Sequence, residues 1–175
     1  MIRPAYWVIG ATVIGLACLL GAVSQQDSAS SVQTRLIGTW ELVSTVEYLT
    51  DGSERPYPDV GPRGKGFLMY TTDGHMCAAG MNPDRLAWKD VNKPTDAEKL
   101  SAMEGFFGYC GRYEMDTANH VIYHYPEVAL DPGWVGTKQK RPYRFEGEIL
   151  TFSDQDTTPG VKGYTISWKK IRSTG

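Results

Sequence analysis

Turn residues cut the chain between Ile37 and Ile171 into short runs, and this punctuation limits the fold more than any other feature. Breaks fall at Asp51-Gly52, Asp73-Gly74, Asp116-Thr117-Ala118-Asn119, Asp131-Pro132-Gly133 and Glu146-Gly147. Glycine, asparagine and proline at such places supply the backbone angles of tight turns. The runs between them alternate apolar with polar residues and favour aromatic and β-branched types, which suit a pleated surface. Eight runs read as strands: Ile37 to Leu49, Gly66 to Thr72, His75 to Met81, Tyr109 to Met115, His120 to Leu130, Lys138 to Phe145, Ile149 to Ser153 and Lys162 to Ile171. Mostly short connections favour antiparallel, up-and-down order. The expected fold is all-β: an eight-stranded antiparallel barrel, whose interior is wide enough for side chains or one small ligand.

Period-two alternation in the first run puts Trp40, Leu42, Ser44, Val46 and Tyr48 on one face, with Glu41, Val43, Thr45 and Glu47 on the other. The third run is poor in bulk, since Ala78, Ala79 and Gly80 are consecutive. Small residues there leave room inside or let a neighbour approach closely. A Pro/Gly-rich connection from Tyr57-Pro58 to Pro62-Arg63-Gly64 is expected at the barrel mouth. One amphipathic helix interrupts the strands. Thr95 and Glu98 form a capping box, Asp96 adds charge to the first turn, and Leu100, Met103, Phe106 and Phe107 make an apolar stripe.

The N-terminus reads as an apolar signal or anchor helix. Ala5 to Val23 is apolar or small, Arg3 precedes it, and Ala22-Val23-Ser24 is a small-x-small cleavage pattern. Its length nearly spans a bilayer, and Tyr6 and Trp7 suit a membrane interface, so retention as an anchor competes with cleavage. The divisions are therefore 1–24 signal peptide or membrane anchor, 25–35 flexible leader and 36–172 barrel domain. Either way the barrel is expected outside the cytoplasm, periplasmic or secreted, with membrane contact only through residues 5–23 if uncleaved. Cys77 and Cys110 would then have the chance to bridge, against the plainer reading of two buried thiols. With 18 basic and 20 acidic residues and a formal net charge of -2, no nucleic-acid partner is expected.

Several pieces together resemble the lipocalin-like domain family of calycin-type small barrels found in bacteria and fungi. They are Leu36-Ile37-Gly38-Thr39-Trp40-Glu41-Leu42, Leu68 to Met76 around Asp73-Gly74, and Glu104-Gly105-Phe106 through Gly111-Arg112-Tyr113-Glu114. His124 with Glu127 and Pro132-Gly133-Trp134-Val135-Gly136-Thr137 complete the set. The resemblance implies an eight-stranded barrel and binding of a small apolar molecule. It further implies that Trp40 closes one end under a basic side chain from the last strand, for which Lys169, Lys170 and Arg172 are candidates. Pro126 and Pro142 depart from a regular strand and belong at bulges or unpaired positions.

Tyr70, Met81, Phe106, Tyr113, His124, Trp134 and Arg141 are the candidate ligand contacts. An inward Arg141 among aromatics suits an anionic head group, and suits equally a side chain snorkelling at the rim. His124 reads either as a core histidine bonded to a neighbour or as an acid/base. If Pro126 breaks the alternation, Glu127 returns to the His124 face and the two form a weak catalytic pair. No metal motif accompanies the three histidines, and no cofactor is expected. Three functions are compatible with these residues: an exported binding protein for a small hydrophobic or amphipathic molecule, a barrel isomerase or cyclase using His124, and a solidly packed envelope interaction module.

Overall fold

A computed structural model describes residues 29–172. The signal or anchor segment over 1–24 lies outside the described residues. The elements are α1 (Ala29–Leu36), β1 (Gly38–Leu49), β2 (Glu54–Arg55), β3 (Lys65–Tyr70), β4 (His75–Met81), α2 (Asp96–Glu104), β5 (Phe106–Asp116), β6 (Val121–Ala129), β7 (Gln139–Glu146), β8 (Ile149–Gln155) and β9 (Val161–Lys170). A single 3-10 turn, Pro132–Trp134, follows β6. β1 and β3 to β9 pair with their neighbours in chain order, all antiparallel, and β9 returns to β1. The result is a closed eight-stranded up-and-down barrel, with β2 as a two-residue ribbon on the free end of β1.

Closure removes the unpaired strand edges that would otherwise invite aggregation. Trp40 marks the closed end. It is 1% exposed, and its indole Nε1 donates to Leu36 O at 2.9 Å. Lys170 is its cationic partner, with Nζ 5.2 Å from the ring centroid, as the resemblance implied. Residues 29–35, placed in the flexible leader by the sequence, belong instead to the helix α1, which ends at Leu36. Its fully buried Leu36 joins the core, and Lys170 Nζ donates to Arg35 O at 2.6 Å.

Two bulges overrule simple alternation. β1 shifts register between Leu42 and Ser44. Trp40 and Leu42 face inward as expected, but beyond the extra residue, Val43, the parity reverses. Thr45 and Glu47, expected on the face opposite Trp40, then turn in, and Ser44 and Tyr48, expected on the face of Trp40, turn out. Glu47 is 5% exposed and accepts from Arg55 Nε at 2.6 Å. β6 bulges at Glu127, where Gly111 pairs Pro126 and Cys110 pairs Val128. A Cβ on Gly111 would sit 2.0 Å from Tyr125 O, so only glycine lets β5 pass this bulge. Pro126 thus occupies a bulge, and Pro142 ends the β6–β7 ladder opposite Val121, before Tyr143 pairs with β8.

α2 has the expected capping box at Thr95 and Glu98 but not the expected stripe. It stops at Glu104, where Gly105 N–H donates back to Ser101 O. Phe106 and Phe107 belong to β5, opposite Met81 and Gly80, and Leu100 and Met103 are 54% and 60% exposed. The buried residue of this helix is Glu98, whose carboxylate accepts from Thr95 N at 2.7 Å and Lys89 N at 3.1 Å. Cys77 and Cys110 face each other across β4 and β5 and are disulfide-bonded. Among the described residues, no helix is long and apolar enough to cross a membrane.

Candidate functional site

The barrel is not filled. At the end opposite Trp40 it holds a cavity of about 180 Å³. Its wall is mainly aromatic: Tyr57, Phe107, Tyr109, Trp134, Phe152, Tyr164 and Trp168 line it, with Leu68, Ala78 and Ile166 between them. Three sequence devices create this space. First, β4 contributes little bulk on its inward residues Met76, Ala78 and Gly80. A Cβ on Gly80 would lie 2.3 Å from the Phe107 ring, so the glycine lets that ring lie across β4. Second, the Pro/Gly-rich connection after β2 folds into the mouth, as expected. It inserts Val60, 1% exposed, while Tyr57 and Asp59 also reach the wall. Third, the turn after β6 is rigid. Asp131 accepts from Gly133 N at 2.8 Å, Gly136 takes φ +78°, and Gly136 N donates to Pro126 O at 2.9 Å. This sets Trp134 over the cavity, in edge-to-face contact with Tyr109 at 5.3 Å.

His124 lies deeper, fully buried, with both ring nitrogens engaged by phenols. Tyr70 Oη is 2.6 Å from Nε2, and Tyr109 Oη is 2.8 Å from Nδ1. Burial, reinforced by the Arg141 charge, holds the imidazole well below its ordinary pKa, so it is neutral near pH 7. Burial also raises both phenols: Tyr70 well above the ordinary range, and Tyr109 less so because Arg141 offsets part of the effect.

Arg141 is partly buried on the cavity wall. Its guanidinium donates to neutral acceptors, Gln139 Oε1 and Lys140 O, and to the phenols of Tyr109 and Tyr164, and among the described residues no carboxylate pairs with it. Among the described residues, Asp59 is the one carboxylate of the wall. Burial and the Glu47 charge raise its pKa. Burial and the charges of Asp156, Asp59 and Glu47 push Tyr57 up to about 12.

The candidate contacts divide accordingly. Trp134 and Arg141 line the cavity. His124 and Tyr70 do not line the cavity; His124 touches its wall through the Tyr109 hydroxyl and, edge-to-face at 6.0 Å, through Phe152. Tyr113 packs edge-to-face on Tyr70 at 4.8 Å and donates to Thr71 O at 3.0 Å, away from the cavity. Met81 accepts from the Arg85 guanidinium at 3.1 Å, while Phe106 lies under that guanidinium and lines a shallow outer groove. Glu127 does not return to the His124 face. As the bulge residue it points outward, exposed, and pairs with Arg112 at 2.8 Å. Arg63, a mouth candidate, is an exposed partner of Asp84. Sequence reasoning missed Tyr109, Phe107, Phe152, Tyr164 and Trp168. Strand parity carried a signal for Tyr109: Tyr113 pairs with His124 across the ladder, and Tyr109 lies four residues before Tyr113, on the same face of β5. Among the described residues, no group of three or more His, Cys, Asp or Glu is placed to hold a metal.

Comparison with known proteins agrees with this architecture. A family model described as a lipocalin-like domain matches residues 37–172. A 4'-hydroxy-3'-methoxypropiophenone carrier protein of Aspergillus oryzae is 27% identical over 86 residues, covering 44% of this chain and 78% of that protein. No solved structure matches.

Proposed function

The chain belongs to the lipocalin-like domain family, and on that premise we propose that it is a non-catalytic carrier for one small aromatic or amphipathic molecule. The observation that carries this reading is the aromatic-lined 180 Å³ cavity inside a closed barrel. A dry apolar cavity of about 150 Å³ is enough for benzene, so this space suits a single substituted ring rather than a lipid chain. The Aspergillus relative is named as the carrier of a propiophenone, itself a single aromatic ring with small substituents. The solidly packed alternative requires a filled interior, which this barrel lacks. The acid/base alternative loses its pair, because His124 is inside the wall and Glu127 outside it.

The proposal includes export. The cleavage pattern of Ala22-Val23-Ser24 supports it, and so does the Cys77–Cys110 bridge, since stable disulfides are rare in reducing compartments. Native mass spectrometry of the protein taken from its source tests the carrier reading. We expect a non-covalent mass increment of one organic molecule. A protein that carries no increment, and binds none of a panel of monocyclic aromatics, contradicts it.

A further inference from the structure

Tyr70, His124 and Tyr109 form a chain whose proton positions follow from counting donors and acceptors. Tyr70 is 2% exposed, and His124 Nε2 is the one hydrogen-bond partner of its hydroxyl. If Nε2 carried the imidazole proton, the Tyr70 hydroxyl hydrogen would be buried away from the cavity with no acceptor, a costly arrangement, whereas the Tyr109 hydrogen can be met from the cavity that Tyr109 lines. Tyr70 therefore donates to Nε2. A neutral imidazole then carries its hydrogen on Nδ1, which donates to Tyr109 Oη.

The consequence falls on the cavity. Tyr109 Oη already accepts from His124 and from the Arg141 guanidinium, and among the described residues its own hydrogen finds no acceptor. Tyr109 lines the cavity. So do Arg141, a donor-only guanidinium without a carboxylate partner, and Trp168, whose buried Nε1 also has no acceptor. The wall has donors in surplus and one carboxylate, Asp59.

We propose that the cavity selects aromatic molecules bearing an acceptor oxygen, a carbonyl or carboxylate, and that Tyr109 is the residue that reads it. His124 acts on the ligand through Tyr109, fixing that hydroxyl as a donor, and is a positioning residue. This inference rests on the carrier reading and narrows its ligand class. It predicts rejection of ring compounds whose polar group is a cationic amine, which meets Arg141 and offers nothing to Tyr109.

Two probes of equal size test it: acetophenone, with a carbonyl, and ethylbenzene, without one. By titration calorimetry, acetophenone should bind about tenfold tighter, the worth of one net hydrogen bond, although it is the less hydrophobic of the two. Tyr109→Phe should shrink that preference to within about threefold, with the loss falling mainly on acetophenone. A second readout uses the wild-type chain and needs no variant to fold. The ¹⁵N spectrum of His124 should show a protonated Nδ1 and an unprotonated Nε2. Equal affinities for the two probes, or a proton on Nε2, overturn the acceptor inference and leave the carrier reading standing. Failure of both probes and of larger monocyclic aromatics to bind overturns both.

Discussion

The Tyr109 hydroxyl lies 2.8 Å from His124 Nδ1, and Tyr70 holds the opposite nitrogen at 2.6 Å. A histidine so enclosed stays neutral in the fold, while in the unfolded chain it protonates near its ordinary pKa of 6.5. Below that pH the unfolded state binds more protons, so stability falls as the pH falls. The slope approaches about 1.4 kcal/mol per pH unit for one proton. Chemical denaturation between pH 7 and pH 5 should show this decline, and His124→Gln should flatten it. Asp59, whose folded pKa is raised, works in the opposite direction at lower pH and blunts the decline there.

Tyr70→Phe should cost about 1–3 kcal/mol, because it strips the acceptor Nε2 of its buried donor. The loss should appear in the urea midpoint without a change in slope. Tyr113→Phe frees only Thr71 O, beside an exposed turn, and should cost less.

Cavity shape is set from β4. Ala78→Leu should fill the space, leave stability unchanged or raised, and abolish ligand binding. Gly80→Ala should act indirectly. Its Cβ would stand 2.3 Å from Phe107 and push that ring into the cavity, weakening binding while costing about 1–3 kcal/mol. Calorimetric titration alongside thermal melts separates the two effects.

The Cys77–Cys110 bridge closes a separation of 33 residues on the outer face of the barrel. Replacing both cysteines by alanine should lower stability by about 2–4 kcal/mol. Ligand affinity should be unchanged, since the inward residues of β4 are their neighbours Met76, Ala78 and Gly80.

The strand count and the α2 capping box were legible in the sequence because each depends on local chemistry. The closed end was legible through the family resemblance, which implied a basic side chain of the last strand over Trp40, and Lys170 takes that place. The two bulges were not legible in their effect. Nothing at Val43 announces an extra residue, yet it turns Thr45 and Glu47 inward and places Thr45 on the cavity wall. Pro126 did signal an irregularity, but its direction depends on pairing with Gly111, a contact between distant strands. Phe106 was misplaced because helical spacing continues through Gly105, whereas ladder pairing with Met81 decides its conformation. α1 escaped notice because its eight residues are mostly polar, and its helix is held by Leu36 under the barrel rather than by propensity.

The central claim is that a small aromatic molecule occupies the interior between Tyr109, Trp134 and Arg141. A crystal structure of the protein soaked with 4-bromoacetophenone tests it most directly. We predict one bromine anomalous peak inside the barrel mouth, with the carbonyl oxygen within hydrogen-bond distance of Tyr109 Oη. Bromine found only on the outer surface, with the cavity empty or filled by a rearranged Phe107 or Trp134, would contradict the account.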